Sequence, residues 1–421
     1  MSSRIKRIVF TKQMKRDYTI LVPTMLPMHF EIISRVLNKY GYKTEILKNS
    51  DESIKQNGLK YVHNDTCYPA LIVIGQFIDA LQSGKWDTHK VALLITQTGG
   101  GCRASNYLSL LRKALSKAGY DYIPVISLNF SGLEKNPGFK LSIPLIIRML
   151  YGVLFGDLLM LLKNQCIPYE YNKGESERKA LEWSQRIADL LCSGRLKYGE
   201  IKEYYRKITA DFDDIERSRE QKPRVGIVGE IFVKFSPLGN NDLEKFLVKE
   251  NTEVVMPGLL DFCLYCVYNN VMDNKLYGIN KPTAVISSWI DRYLLKKQAD
   301  LIEAIKENGH FRPMTPFDHT RTLTKGYIGH GAKMGEGWLL TAEMLELVEQ
   351  GVNNIVCAQP FGCLPNHIMG KGMMKPIKER HSGVSIVAID YDPGATRINQ
   401  ENRIKLMLSS ANMNFEASGG K

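Results

Sequence analysis

The sequence predicts an α/β protein of two lobes with parallel sheets, joined by a helical connector. Three observations lead there. β-prone runs alternate with stripes of helical period in the first third of the chain, a mostly helical stretch follows, and β-prone runs then return. The expected division is an N-terminal α/β lobe over 1–139, a helical connector over 140–220 and a C-terminal α/β lobe over 221–421.

The first strand is Tyr18 to Val22. Ile32, Ile33, Val36, Leu37 and Tyr40 then recur at helical spacing, Gly41 ends that helix, and Lys43 to Leu47 is β-prone again, which makes a βαβ unit. Leu71, Ile72, Ile74, Phe77, Ile78 and Leu81 form a second helical stripe, followed by a strand at Val91 to Thr96, a helix at Leu108 to Ala118 and a strand at Ile123 to Leu128. Helices that alternate with strands imply parallel pairing. Ser176 to Arg195 and Glu200 to Ser218, rich in charges and helix formers, belong to the connector. In the second lobe, strands are expected at Arg224 to Val228, Glu253 to Val255, Asn354 to Cys357 and Val384 to Ile389. No short repeat is present, so a solenoid or propeller is excluded.

A 421-residue chain with 44% hydrophobic and 24% charged residues is globular and has no need of disulfides for stability. Its net charge of +12 could serve nucleic acid, an anionic cofactor or an acidic partner. Part of that charge lies in Arg4, Lys6, Arg7, Lys12, Lys15 and Arg16, against Asp17 alone. This arm reads as a solvated, partly mobile terminus, because no periodic aromatics accompany it as nucleic-acid binding would require. The first apolar run lacks a secretory pattern. The most apolar stretch, Leu141 to Leu162, carries Arg148 and Asp157, costly in lipid, and reads as a buried helix. A cytoplasmic protein with neither nucleic-acid nor membrane contact is expected, its eight cysteines free to act as thiols or metal ligands.

Where the cysteines fall is the main clue. Cys67, in Asn64-Asp65-Thr66-Cys67-Tyr68-Pro69, immediately precedes a helix that Pro69 suits. Cys102, in Gly99-Gly100-Gly101-Cys102-Arg103, follows an apolar strand and precedes a helix, so it belongs at the carboxyl edge of the sheet. Both positions are expected to lower a thiol pKa through the helix dipole, helped at Cys102 by Arg103. Cys357 and Cys363 repeat the pattern in Cys357-Ala358-Gln359-Pro360-Phe361-Gly362-Cys363-Leu364-Pro365-Asn366-His367. Zinc sites pair their cysteines closely, whereas these thiols are scattered and meet only if two lobes face each other, which suits iron–sulfur ligation better. Cys263 and Cys266 have Cys-x-x-Cys spacing, but no strand leads into their apolar run and a buried helix is expected there. Cys166 and Cys192, in the connector, read as structural.

The glycine clusters do not make a nucleotide site. Gly99 to Gly101 is not the spaced dinucleotide fingerprint, and no Gly-Lys-Ser/Thr phosphate loop occurs, so the chain is not expected to hydrolyse ATP itself. Gly226 and Gly229 read as close strand-turn packing. Gly335-Glu336-Gly337-Trp338 and Asp390-Tyr391-Asp392-Pro393-Gly394 could place carboxylates at a site, but turns and caps explain them equally well.

Taken together, Asn64 to Pro69, Gly100-Gly101-Cys102-Arg103, Gly337-Trp338-Leu339-Leu340-Thr341-Ala342-Glu343-Met344 and Cys357 to His367 resemble the 2-hydroxyacyl-CoA dehydratase family, in the branch related to its activase-linked component. The resemblance runs over most of residues 17 to 408 and ends in Ile389 to Gly394 and Asn402 to Leu406. It implies two Rossmann-like lobes with a [4Fe-4S] cluster in the cleft between them, in an oxygen-sensitive cytoplasmic protein of anaerobes. Three cysteines hold that cluster and one iron stays open. Cys67, Cys102 and one of Cys357 and Cys363 match the ligand positions, with Cys363 favoured for the proline turn that follows it. Cys266 could also be recruited, since a related branch holds a double-cubane cluster, needs more thiolates and reduces small unsaturated molecules.

The resemblance further implies the chemistry. An ATP-dependent iron–sulfur activase injects one low-potential electron, and a 2-hydroxyacyl-CoA thioester loses water through a ketyl radical anion. The implied partners are that activase, a CoA thioester substrate and a second subunit, in a homo- or hetero-dimer. A non-catalytic electron carrier or scaffold is the other class left open.

Overall fold

The computed structural model of the chain describes residues 7–63, 65–96, 101–128, 134–194 and 196–417. Four strands open the fold: β1 (Thr19–Val22), β2 (Lys43–Ile46), β3 (Val91–Thr96) and β4 (Val125–Leu128). They pair in parallel in the order β2-β1-β3-β4, with Ile20 opposite both Thr44 and Ala92. Parallel neighbours need crossovers, which the helices Pro27–Lys39, Ser53–Tyr61 with Tyr68–Gln82, and Tyr107–Ala118 supply. β3 is buried from Val91 to Ile95, as expected of a strand covered on both faces.

The second sheet repeats the plan. β5 (Arg224–Gly229), β6 (Glu253–Val255), β7 (Asn354–Pro360) and β8 (Ser385–Tyr391) are parallel in the order β6-β5-β7-β8. Val225 lies opposite Val254 on one side and Asn354 on the other. In both sheets the order reverses between the first and third strands. Loops that leave those strands diverge at the carboxyl edge, the place where α/β sheets receive ligands. The expectation of an α/β chain with two parallel sheets is met.

In chain order the helices Ile143–Cys166, Glu175–Cys192 and Tyr198–Asp213 come between the strands of the two sheets. The first is long and apolar enough to cross a membrane, yet two thirds of its most apolar window is buried within the protein. Its core side chains, among them Leu154, Phe155, Leu158 and Leu162, share one hydrophobic cluster with Ile20 and Ala92 of the first sheet and Leu260 and Leu264 from beyond β6. Asp157 is tolerated there because its carboxylate accepts the N–H groups of Leu259 and Leu260 at 2.8 and 2.9 Å, and meets His29 Nε2 at 2.8 Å. It caps the N-terminus of the helix Leu259–Tyr277, where negative charge is favoured.

Four details depart from the sequence reading. The basic arm is not a free terminus from residue 7 onward: Phe10 is fully buried, its N–H donates to Asn136 Oδ1 at 3.2 Å, and Arg7 pairs with Glu134. Residues 1–6 lie outside the described residues, as do Asn64, Gly99 and Gly100. The strand expected from Ile123 begins at Val125, after Pro124, which has no N–H to give a ladder. The helix expected to reach Ser218 stops at Asp213, because Arg217 folds back to Asp213 Oδ1 at 2.8 Å and pairs as a bridge with Glu170. β7, expected to end at Cys357, continues to Pro360 through its pairing with Ile389 to Tyr391.

Candidate metal centre

Equivalent junctions of the two sheets supply the site. In the first, the helix Tyr68–Gln82 leads into β3, and Cys67 is its N-cap residue. Cys102 comes after β3, at the N-cap of the short turn Arg103–Asn106. In the second, Gly337 is the N-cap of the helix Trp338–Glu349 that leads into β7, with Glu336 one residue earlier, and Cys363 follows β7. Glu230 follows β5 directly and caps the helix Ile231–Phe235, accepting the Val233 N–H at 2.9 Å.

Three observations bring these junctions together. The Tyr68 N–H donates to the Phe361 carbonyl oxygen at 3.0 Å, which ties the start of one helix to the loop that carries Cys363. Gly362 has φ +73°, and a Cβ there would stand 3.3 Å from Cys67 Cα. Gly335 has φ +58°, and a Cβ there would stand 3.6 Å from Cys102 Sγ and 3.0 Å from Pro365 Cγ. Both glycines adopt a conformation that L side chains avoid, and each leaves room beside a cysteine. The thiols of Cys67 and Cys363 both lie within electrostatic reach of Cys102, all three lie within reach of Glu230, and Cys102 and Cys363 also within reach of Glu336. Cys67 Sγ is 3.0 Å from Tyr107 Oη.

The other candidates stand elsewhere. Cys357 is fully buried inside β7, its Sγ 3.6 Å from Asn366 Oδ1, in the cluster that contains Met344 and Leu347. That face of β7 turns toward the helix Trp338–Glu349 and is not brought to the other three thiols. Cys266 sits on the helix Leu259–Tyr277 and is exposed, within reach of Glu336. Its neighbour Tyr265 donates to the carbonyl oxygens of Lys333 and Gly335 at 2.8 and 2.9 Å. Cys263 shares that helix, and Cys166 is buried against Phe212.

The expected depression of the thiol pKa values is overturned. Burial pushes the Cys67 thiol up, with the Tyr107 hydroxyl opposing, and pushes Cys102 up to about 11. Cys363 is raised as well, by burial and then by Glu336 and Glu230. At Cys102 the helix that begins next has only four residues and Arg103 donates to the Asp65 carbonyl oxygen, while at Cys67 burial outweighs the lowering effect of Arg103. Without a bound metal these groups are protonated thiols. Glu230 is itself pushed up to about 8 by burial and by Glu336, and Glu336 is raised by burial and then by Glu343.

Glu230, Tyr107 and Lys234 were not singled out as site residues in the sequence. Tyr107 had a signal: it opens a helix five residues after Cys102. Lys234 had one too, as a charge inside the apolar run Ile231–Phe235, and it pairs with Glu343 at 2.8 Å with both side chains buried.

Among the described residues no three His, Cys, Asp or Glu side chains stand close enough to hold a single metal ion. One ion holds its sulfur ligands at roughly 2.3 Å and needs them in mutual contact. A cluster of several irons and sulfides is wider and takes ligands that stand farther apart. Three thiols from separate loops, with glycines clearing the space beside two of them, fit the wider group by donor chemistry. No protein-family model matches the chain, and no curated protein matches it.

Proposed function

We propose that the chain is an iron–sulfur protein of the 2-hydroxyacyl-CoA dehydratase type, in which Cys67, Cys102 and Cys363 hold a [4Fe-4S] cluster in a cleft between two Rossmann-like lobes. The convergence of three thiols from both sheets, stitched by the Tyr68 to Phe361 hydrogen bond, carries the reading. The three helices that come between the two sheets in chain order are the connector of this plan. When bound, the cluster supplies a one-electron reductant and an iron with a free coordination position.

The chain's own residues account for the rest. Tyr107 Oη, at hydrogen-bond distance from Cys67 Sγ, fixes that sulfur and counters part of its charge once it is a thiolate. Burial of Cys67 and Cys363 keeps water from the centre. Glu230, raised to about 8, carries its proton at neutral pH and can deliver it to a hydroxyl that leaves as water. The substrate class is a 2-hydroxyacyl-CoA, and the electron comes from a separate ATP-dependent iron–sulfur activase, since no phosphate loop couples ATP within the chain. The net charge of +12 suits both the phosphates of coenzyme A and an acidic activase surface. The protein works in the reducing cytoplasm as a homo- or hetero-dimer.

The test is loss of water from a panel of 2-hydroxyacyl-CoA thioesters, run anaerobically with activase, ATP and reductant, each omitted in turn. Turnover only in the complete mixture supports the reading, and turnover without activase or ATP contradicts it. A double-cubane reductase is the second reading, favoured by the placement of Cys266 near Glu336 as a further thiol. It predicts about eight irons per chain instead of about four, and reduction of small unsaturated molecules with every thioester inert.

A further inference from the structure

One row of buried groups takes no part in binding the thiols. Glu343 and Glu346 stand three residues apart on one face of the helix Trp338–Glu349, and Glu336 stands two residues before that helix begins. All three are buried. Carboxylates are rarely placed in a helix buried this thoroughly from Trp338 to Leu347, where Trp338, Leu340, Ala342 and Met344 are essentially inaccessible. Beside the row lies Lys234, within reach of Glu230, Glu336, Glu343, Glu346 and Asp261. It therefore occupies the middle of the row.

At the end away from the thiols the row meets a cavity of about 60 Å³ lined by Glu346, Asp261, Asp157, Gln350, Asn164 and Arg312. That volume holds a few waters. Asn164 is buried and its Oδ1 has no partner among the protein atoms, so an acceptor on the cavity wall awaits a water. Arg312 is about half exposed, which brings the cavity to the surface. The carboxylates there are held by neutral donors: Gln350 Nε2 to Glu346 Oε1 at 3.1 Å, Thr320 Oγ1 to Glu346 Oε2 at 3.2 Å, and Gln298 Nε2 to Asp261 Oδ1 at 2.9 Å. Among the described residues no cation neutralises either at contact distance, so each can hold a proton.

We infer that Glu346, Asp261, Glu343 and Lys234 form a proton-transfer path between this solvent-facing cavity and the thiol site, delivering one proton for each electron that enters the metal centre. The inference rests on the metal-centre reading. Its balance is simple: a low-potential one-electron donor is oxidised by one electron, the centre is reduced by one, and one proton from cavity water crosses the row to the Glu336 end. Adding an electron to a buried centre without a proton would bury an uncompensated charge, which a low-dielectric interior opposes. The groups that face Glu343, Glu346 and Asp261 from neighbouring elements are Lys234, Asp157, Thr315, Thr320 and Cys357, and Glu336 is faced by Glu230, Cys102, Cys266 and Cys363. Burial raises Glu343 against the opposing Lys234, and raises Glu346 to about 7, so Glu346 can carry a proton near neutrality.

The experiment uses anaerobically reconstituted full-length protein, reduced by a flash from a photoreduced flavin in weak buffer with a pH-indicator dye. Wild type should take up close to one proton per electron. Glu346→Gln and Glu343→Gln should slow that uptake at least tenfold with iron content unchanged. Glu346→Asp should restore most of the rate, and Glu349→Gln, at the exposed C-terminal end of the same helix, should not alter it. A reduced-minus-oxidised infrared spectrum of wild type should show a carboxylic acid band that shifts in heavy water, and this needs no variant to fold. Uptake equally fast in both Gln variants, or no uptake and no carboxylic acid band in wild type that holds iron, would overturn the path alone. Wild type that retains no iron would overturn the metal-centre reading and the path with it.

Discussion

The N–H of Tyr68 donates to the carbonyl oxygen of Phe361 at 3.0 Å, so the residue after Cys67 is bonded to the residue two before Cys363. An N–H of the first turn of a helix has no partner within its own helix. Here the loop after β7 satisfies it, so a single hydrogen bond ties the helix that Cys67 caps to the loop that carries Cys363.

The first consequence concerns the choice of ligand in the second sheet. Cys363→Ser should lose most of the bound iron. Cys357→Ser should keep it and lose roughly 1–3 kcal/mol of stability, because a hydroxyl replaces a thiol in an apolar interior. Iron analysis and urea melts on both variants check this, and equal loss of iron would mean that Cys357 is also a ligand.

Loading should depend on pH. Cys102, at about 11, and the raised Cys67 and Cys363 are thiols at neutral pH, so each must release a proton when it binds iron. Affinity should therefore rise with pH between 6 and 9. Competition against a chelator whose own pH dependence is known measures it; a flat profile would show that the thiols are already ionised.

The metal-free chain should lose stability as pH rises from about 5 to about 8. Glu230 and Glu346 have folded-state values of about 8 and about 7, above the ordinary carboxyl value near 4.5 that the unfolded chain recovers. Over that window the folded state binds more protons than the unfolded one, so raising the pH favours unfolding. Glu134, Asp211 and Asp213 are lowered and act only below this window. Denaturation midpoints at pH 5.5 and 8.5 test the direction, and Glu230→Gln should flatten the trend.

Much of the fold was legible because its signals are local. The strands at Val91 to Thr96 and Glu253 to Val255 were read to the residue, since an apolar run bounded by turns has few other uses. Pro69 marked the start of the helix after Cys67 as expected. The thiol pKa values were not legible, because their sign is set by burial from the opposite sheet, which no local pattern records. Nor was the role of the Gly335 to Gly337 turn. Gly335 read as an ordinary turn glycine, and only the fold shows that its missing side chain makes room beside Cys102. The carboxylates of Glu343 and Glu346 are visible as charges in an apolar helix, but Lys234, which pairs with Glu343, lies 109 residues away from it in the chain.

Tyr107→Phe isolates the hydroxyl at Cys67. Without it the thiolate loses a charge-assisted hydrogen bond, so alkylation of Cys67 in the metal-free protein should slow by roughly tenfold at pH 8. Iron should still bind, since no ligand is removed. Mass spectrometry of the labelled peptide reads the rate; an unchanged rate would show that the 3.0 Å contact does not govern that thiol.

Gly335→Ala should cost about 1–3 kcal/mol, from its left-handed backbone and the crowding of Pro365. The displaced loop should also weaken iron binding through Cys102. Gly383→Ala, at φ +83° with no atom within 4 Å of its Cβ, is the control that carries backbone strain without touching the site. Equal iron retention in the two variants would contradict a role for Gly335 beside the centre.

The most direct measurement is a count of iron and acid-labile sulfide on anaerobically purified protein, wild type beside Cys67→Ser, Cys102→Ser and Cys363→Ser. The account predicts about four of each per wild-type chain and a collapse of both in all three variants, with the visible absorption lost in parallel. Full iron and an unchanged spectrum in any one of the three would contradict the claim that these thiols together hold the centre.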